Sequence, residues 1–358
     1  MVLIIKKFYT CFIFLSLLNS LFLPVSAQAS GGPEVSAQCA VLSCGGRIIY
    51  EKNAEAKMPM ASTTKLMTAI LALENCGLDE VVEIKAEYCG IEGSSMYLRP
   101  GTEKTVEDLL KGLLLVSGND AAVALACHIS GSEAAFAALM NEKAEALGMN
   151  STTFVNPHGL NDPSHYSTAA DLARLMEYCV ENEDFVRLNA MKNAAVDGMV
   201  LVNHNKLLYN CPGCVGGKTG YTMTAGRCLV SCCEREGGRL VCVTLSAPDD
   251  WNDHSKLYDW GFERCELVEP GTGQCFTVSV VSGEANEAVL LPEGKAGIFV
   301  PKDSVLEYRA ELPRFVFAPV EKGERGGKVL VYVDGERAGE YYLIYSDNIA
   351  LDNSLIGA

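Results

Sequence analysis

Met58-Pro59-Met60-Ala61-Ser62-Thr63-Thr64-Lys65-Leu66-Met67-Thr68-Ala69-Ile70-Leu71-Ala72-Leu73-Glu74 is the stretch on which the reading of this chain turns. After Lys65 it is apolar on nearly all sides rather than along one stripe, the pattern of a helix in the middle of a sizeable domain. Pro59 and the Ser/Thr cluster mark where it starts. Residues three apart on a helix project from one face, so the Ser62 hydroxyl and the Lys65 amine fall within hydrogen-bond reach. Such a pair makes a serine nucleophile if the lysine is neutral at working pH, a condition that costs about 4 kcal/mol relative to free lysine. Burial and a nearby cation supply that shift. The helix start also offers unpaired N–H groups and a positive dipole end to an oxyanion beside Ser62. A Ser-Thr-Thr run before an apolar helix serves equally as an ordinary cap, so the rest of the chain has to decide.

The length of 358 residues, with 49% apolar and 21% charged residues, points to two folded domains. Ahead of them, Lys6 and Lys7 precede an apolar run from Phe8 to Leu23, then Pro24 and small residues to Ala29. This is the layout of a secretory signal peptide over 1–29, with cleavage after Ala27 or Ala29, and it implies an exported protein. An uncleaved anchor is the competing reading, opposed by the shortness of the run and its interruption at Asn19 and Ser20. The formal net charge of −16 becomes −18 without Lys6 and Lys7, which argues against nucleic acid and anionic membranes as partners. Fifteen cysteines are many for an exported chain of this size. Cys211-Pro212-Gly213-Cys214 has redox or zinc spacing, but a second pair is missing, so a local disulfide or free thiols are favoured over a metal. No cofactor is implied.

Along the chain, Ser36–Leu42 and Arg47–Tyr50 flank Gly45-Gly46 as a hairpin. Helical patterns follow at 106–116, 121–129, 133–147 and 168–180, with Asp171 read as serving the first turn of the last. Runs at 226–233 and 239–245 read as antiparallel strands, and a helix at 252–262 closes the unit. Strands at both ends with helices between them suggest one antiparallel sheet with helices packed on it, over about 35–265. From 268 to 348 the texture is all-β, with Asp334-Gly335 as a hairpin turn, and reads as a small sandwich domain followed by a 349–358 tail.

Three motifs stand in order: Ser62-Thr63-Thr64-Lys65, Ser117-Gly118-Asn119 and Lys218-Thr219-Gly220. Each is weak alone; in this order, with the first opening an apolar helix, the second on a helix-to-helix turn and the third on an edge strand, they are specific. Ser62 attacks a carbonyl, Lys65 takes its proton and Ser117 relays a proton to the leaving amine. Asn119 orients substrate and locks Lys65. Lys218 helps keep Lys65 neutral and, with Thr219, binds a terminal carboxylate. Gly220 lets substrate lie close to the strand, and the N–H groups of Ser62 and Tyr221 form an oxyanion hole.

These residues resemble the low-molecular-mass penicillin-binding proteins, the D-alanyl-D-alanine carboxypeptidases of serine peptidase family S11. Tyr50–Ala54, Met58–Ser62, Pro157-His158-Gly159-Leu160 and Ala225-Gly226-Arg227 extend the likeness over roughly 35–265, with a weaker one beyond. The resemblance implies an α/β fold, a β-lactamase/transpeptidase-like catalytic domain plus a β-rich C-terminal domain. It also implies a peptidoglycan stem peptide ending in D-Ala-D-Ala as substrate, and β-lactam antibiotics as acylating inhibitors of Ser62. The stretch from Ile344 to Ala358 is acidic and lacks basic residues, unlike the amphipathic end helix of many members, which leaves membrane attachment open. His204 and Tyr221 stand where some relatives have arginine and histidine. Two alternatives remain: a class A-like β-lactamase, whose activating carboxylate would fall at Phe185, and a non-catalytic β-lactam sensor.

Overall fold

Two short strands meeting at Gly45-Gly46 open the computed structural model, which describes residues 32–354 apart from 270, 272, 295–296 and 353. The leader read at 1–29 lies outside the described residues. β1 (Cys39–Cys44) and β2 (Arg47–Lys52) pair antiparallel, and both turn glycines have the positive φ that a Cβ disfavours. The chain then runs through α1 (Lys65–Asn75), the hairpin strands β3 (Val81–Glu83) and β4 (Glu103–Thr105), α2 (Val106–Leu115), α3 (Asn119–Ser130) and α4 (Glu133–Ala146). Next come α5 (Ala169–Cys179), α6 (Glu183–Asn189), a hairpin of β5 (Asn193–Val196) and β6 (Met199–Val202), and the single turn α7 (Leu207–Asn210). β7 (Cys214–Thr222), β8 (Gly226–Arg235) and β9 (Gly238–Leu245) complete a five-stranded antiparallel sheet in the order β2-β1-β9-β8-β7. It is assembled from both ends of this half of the chain, as the pattern suggested, with β7 as an edge.

Strand alternation sorts the sheet's side chains onto two cores. Val41, Val230 and Val243 face the larger one with Leu66, Ile70 and Leu172 of the helices. Ala40, Leu42, Leu229 and Leu240 face the opposite side, covered by α8 (Asp250–Phe262) through Leu257 and Tyr258. Lys65 through Ala72 are all buried, as an apolar surround on every side of α1 requires. His254 on α8 lies wholly inside, its ring between the Ser231 hydroxyl at 2.7 Å and the Thr244 hydroxyl at 2.9 Å, and burial drops its pKa to about 3.

Beyond α8, β10 (Cys265–Val268) pairs with β13 (Ile298–Pro301). The remaining strands, β11 (Phe276–Val281), β12 (Glu287–Pro292), β14 (Leu306–Glu311), β15 (Phe315–Phe317), β16 (Arg325–Val333) and β17 (Glu336–Tyr345), hydrogen-bond into one six-stranded sheet, order β14-β16-β17-β12-β11-β15. Its own core includes Val278, Leu290, Val329, Val331 and Leu343. Arg47 of β2 ties it to the first half of the chain through Asp334 at 2.6 Å.

Two local readings are extended. Asp171 does not serve only its own helix: its buried carboxylate accepts from Ser151 N at 3.0 Å and Thr152 Oγ1 at 2.8 Å, while Thr168 caps α5. Cys211 is partnered by Cys233, whose thiol hydrogen bond, with Arg235 beside it, lowers the Cys211 pKa to about 7, whereas the Cys214 thiol donates to Gly216 O. The cysteines among the described residues are all free thiols.

Candidate active site

Ser62 does not lie in an α-helix proper but in a 3-10 turn, Ala61–Thr64, that leads into α1 at Lys65. Ala61 is held at φ 48°, outside the range a β-carbon prefers. The segment around Pro157-His158-Gly159 fixes this turn. Gly159 has φ 88°, and a Cβ there would stand 2.0 Å from Ala61 O, so only glycine allows the approach. Asn156 Oδ1 accepts from Gly159 N at 2.7 Å, and Thr68 Oγ1 donates to Pro157 O at 2.6 Å. Behind the turn, His165 Nε2 meets Thr64 Oγ1 at 2.7 Å. Its Nδ1 accepts from Val155 N at 3.1 Å, so the neutral ring carries its proton on Nε2. Burial, with His158 and Lys65 nearby, lowers its pKa to about 4, although Asp162 pulls the other way.

Lys65 is wholly buried, and three groups surround its Nζ: Asn119 Oδ1 at 2.6 Å, the His158 carbonyl at 2.6 Å and Ser62 Oγ at 3.0 Å. Burial first, and the charge of Lys218 second, push its pKa well below that of free lysine, against an opposing pull from Asp120. A neutral amine has two N–H bonds and one lone pair. Here Nζ donates to all three groups, and the Ser62 hydroxyl donates to the His158 carbonyl at 3.4 Å; a neutral Lys65 would turn its lone pair to the serine proton.

Ser117 sits at φ 61° between α2 and α3. The buried Asp120 carboxylate holds this corner, accepting from Ser95 Oγ at 2.6 Å and from Met96 N and Leu98 N at 3.0 Å each. Asn119 Nδ2 donates to Glu92 O, which aims its Oδ1 at Lys65. On the edge strand β7, the buried Lys218 donates to Ser117 Oγ at 3.0 Å and to Thr219 O at 2.8 Å, and desolvation lowers its pKa to about 7. Asn189 of α6 accepts from Gly217 N, bracing the edge from outside. A Cβ on Gly220 would lie 3.0 Å from Ser62 N, so β7 passes directly over the serine turn.

The structure therefore brings together Ser62, Lys65, Ser117, Asn119, Lys218, Thr219 and Gly220 in one place. A cleft of about 660 Å³ opens over Ser62, Ser117, Thr219, Gly220 and Tyr221, and His204 and Arg227 also line it. The Tyr221 side chain points largely to solvent. Burial and Lys218 together lower the pKa of His204. Arg227 is occupied by a bidentate pair with Asp250 at 2.7 and 2.9 Å. A larger cavity, about 910 Å³ beside Glu177, Arg239 and Phe299, holds none of the motif residues and is not this site. Sequence reasoning missed His165, Asp120 and Asn189, which act by supporting others. Only the oddity of a polar residue in an apolar neighbourhood could have marked them.

A serine in the turn that leads into a core helix and a buried lysine at the start of that helix, under an edge strand bearing Lys-Thr-Gly, match a protein of the penicillin-binding, serine-peptidase class. The chain belongs to the D-alanyl-D-alanine carboxypeptidase family, peptidase S11, whose family model matches residues 26–249. It is 32% identical to the D-alanyl-D-alanine carboxypeptidase DacF of Bacillus subtilis (strain 168) over 318 residues, 82% of this chain and 80% of the relative. It is likewise 32% identical to DacC of Escherichia coli (strain K12) over 355 residues, 90% and 86% of the two chains. The crystal structure of penicillin binding protein 5 from Haemophilus influenzae superposes with a TM-score of 0.67 at 30% identity, covering 89% of this chain and 98% of that one.

Proposed function

We propose that Ser62 is the nucleophile of a serine D-Ala-D-Ala carboxypeptidase and that Lys65 is its general base. Family and relatives make the chain such an enzyme, acting in the cell wall on peptidoglycan peptide. The observation that carries the residue assignment is the buried lysine amine 3.0 Å from the serine oxygen, its pKa pushed well below that of free lysine by burial and by Lys218. Ser62 Oγ attacks the carbonyl between the two D-alanines as its proton passes to Lys65. The tetrahedral oxyanion lies against the N–H groups of Ser62 and Tyr221. Ser117, held by Lys218, carries a proton to the departing D-alanine amine. Lys218 and Thr219 receive its carboxylate, and Asn119 holds both Lys65 and the peptide. Water then releases the shortened peptide. β-Lactams acylate the same serine.

The β-lactamase reading is not favoured: Phe185 on α6 is fully buried in the apolar core, where an activating carboxylate would have to stand. We place the enzyme outside the cytoplasmic membrane, on the strength of Lys6, Lys7 and the apolar run at 8–23. Among the described residues no single helix is long and apolar enough to cross a membrane. Intact-mass spectrometry after incubation with benzylpenicillin, run beside a D-alanine release assay, tests the assignment. A one-to-one adduct and D-alanine release are expected, both absent in Ser62→Ala. An adduct that survives in Ser62→Ala overturns it.

A further inference from the structure

The two helices whose N-terminal ends carry Ser62, Lys65 and Asn119 also meet away from the site. Cys76 caps the C-terminus of α1, its N–H bonded to Ala72 O at 3.0 Å. Four residues on, Glu80 stands at the entry to β3, and His128 lies in the last turn of α3. The Cys76 sulfur, a Glu80 carboxylate oxygen and a His128 ring nitrogen all lie within 4.8 Å of one another, with His128 Nε2 2.8 Å from Glu80 Oε1.

We propose that Cys76, Glu80 and His128 form a binding site for a divalent cation of the zinc class, which pins the far ends of α1 and α3 together.

Thiolate, imidazole and carboxylate are the three ligand types zinc takes, and bonds of roughly 2.0–2.3 Å in a tetrahedron put ligand atoms about 3.3–3.8 Å apart. The three groups need only small rotations to reach that spacing, and the fourth position faces water, since Glu80 is exposed and the other two are half-buried. Two further features favour a cation here. Both helices end at the cluster, so their carbonyl ends present negative partial charge, and neither last turn carries lysine or arginine to neutralise it. The glutamate is also held in place before any metal arrives. Glu80 N donates to Gly77 O at 3.1 Å, Val106 N donates to Glu80 O at 2.9 Å, and Glu107 N donates to Leu78 O at 3.0 Å. The turn that brings Glu80 back to Cys76 is therefore preformed. On binding, the thiol proton leaves to solvent and the sulfur takes the metal bond, while His128 exchanges its contact with Glu80 for the metal. Because the three residues come from two helices and a turn, no spacing rule for contiguous zinc motifs finds them.

The test uses the chain with thiols reduced and metal removed, titrated with Co²⁺ and followed by absorbance. One equivalent is expected to produce a thiolate-to-cobalt charge-transfer band with tetrahedral visible bands, bleached by Zn²⁺. Cys76→Ser and His128→Ala should each abolish the charge-transfer band or weaken Zn²⁺ binding by at least about 10-fold. Cys211→Ser should leave both unchanged, and circular dichroism checks that every variant is folded. Zn²⁺ should raise the Tm of the unmodified chain but not of Cys76→Ser. A band that persists in Cys76→Ser places the metal on other thiols and overturns the proposal. So does an unmodified chain that takes up no Co²⁺, which leaves His128 and Glu80 as an ordinary hydrogen-bonded pair.

Discussion

The two halves of the molecule handle polarity in opposite ways. Every buried polar or charged side chain among the described residues lies between Ser43 and His254, including two lysines and three histidines. The C-terminal strands bury apolar side chains with the phenols of Tyr341 and Tyr345, and keep their charges on the surface in pairs such as Arg325–Glu293 and Lys328–Glu340. Burying a polar group is costly unless its hydrogen bonds are remade. The catalytic half remakes them with partners from other segments: Asp120 with the 95–98 loop, Lys65 with His158 O and Asn119, and His254 with hydroxyls on two neighbouring strands. The difference separates a region built to hold charge out of water from one built by packing alone.

The sharpest way to break this contrast is Lys65→Met. If the buried amine is there for chemistry, acylation by benzylpenicillin should fall by at least about 10³-fold. An apolar side chain of similar volume in place of a buried amine should meanwhile leave the Tm nearly unchanged. A variant that stays active but unfolds easily would reverse the reading. Next in size is the response to acid. His254 and His165, with pKa values of about 3 and 4, stay neutral in the fold, while the unfolded chain takes up protons near 6.5. The unfolded state therefore binds more protons below that value. Stability is intact above about pH 6.5 and is lost as pH falls towards 4, by about 2 kcal/mol for each ring. All five histidines lie between His128 and His254, and both tryptophans, Trp251 and Trp260, are on α8. Urea midpoints followed by tryptophan fluorescence therefore report on the half that titrates, and they should drop between pH 7 and 4.5. A pH-independent midpoint would remove the electrostatic half of the comparison. The smallest effect is expected on the other side. Arg337→Ala breaks an exposed pair with Glu340 and should move the Tm by about 1 °C or less.

Much of this was legible in the sequence because it is local. The all-round apolar pattern after Lys65, the hairpins at Gly45-Gly46 and Asp334-Gly335, and the order of the three motifs depend on neighbours within a few residues. What stayed hidden depends on where loops travel. The clamp of Gly159 and His165 on the serine turn spans about a hundred residues, and the partnering of Cys211 with Cys233 rather than Cys214 depends on how the chain enters β7. The 3-10 turn at Ser62 was likewise unreadable, because a Ser/Thr cluster before a helix looks the same whether the first turn is tight or regular.

The interior position of β1, between β2 and β9, bears on how the enzyme is born. Val41 pairs with Val243, about two hundred residues away. The first hairpin therefore leaves the ribosome long before its neighbour β9 exists, and closing so large a loop makes folding slow. Lys218 belongs to the same late-arriving strands, so a nascent chain carries Ser62 while roughly a further 150 residues are added before the cation and edge strand that complete the site exist.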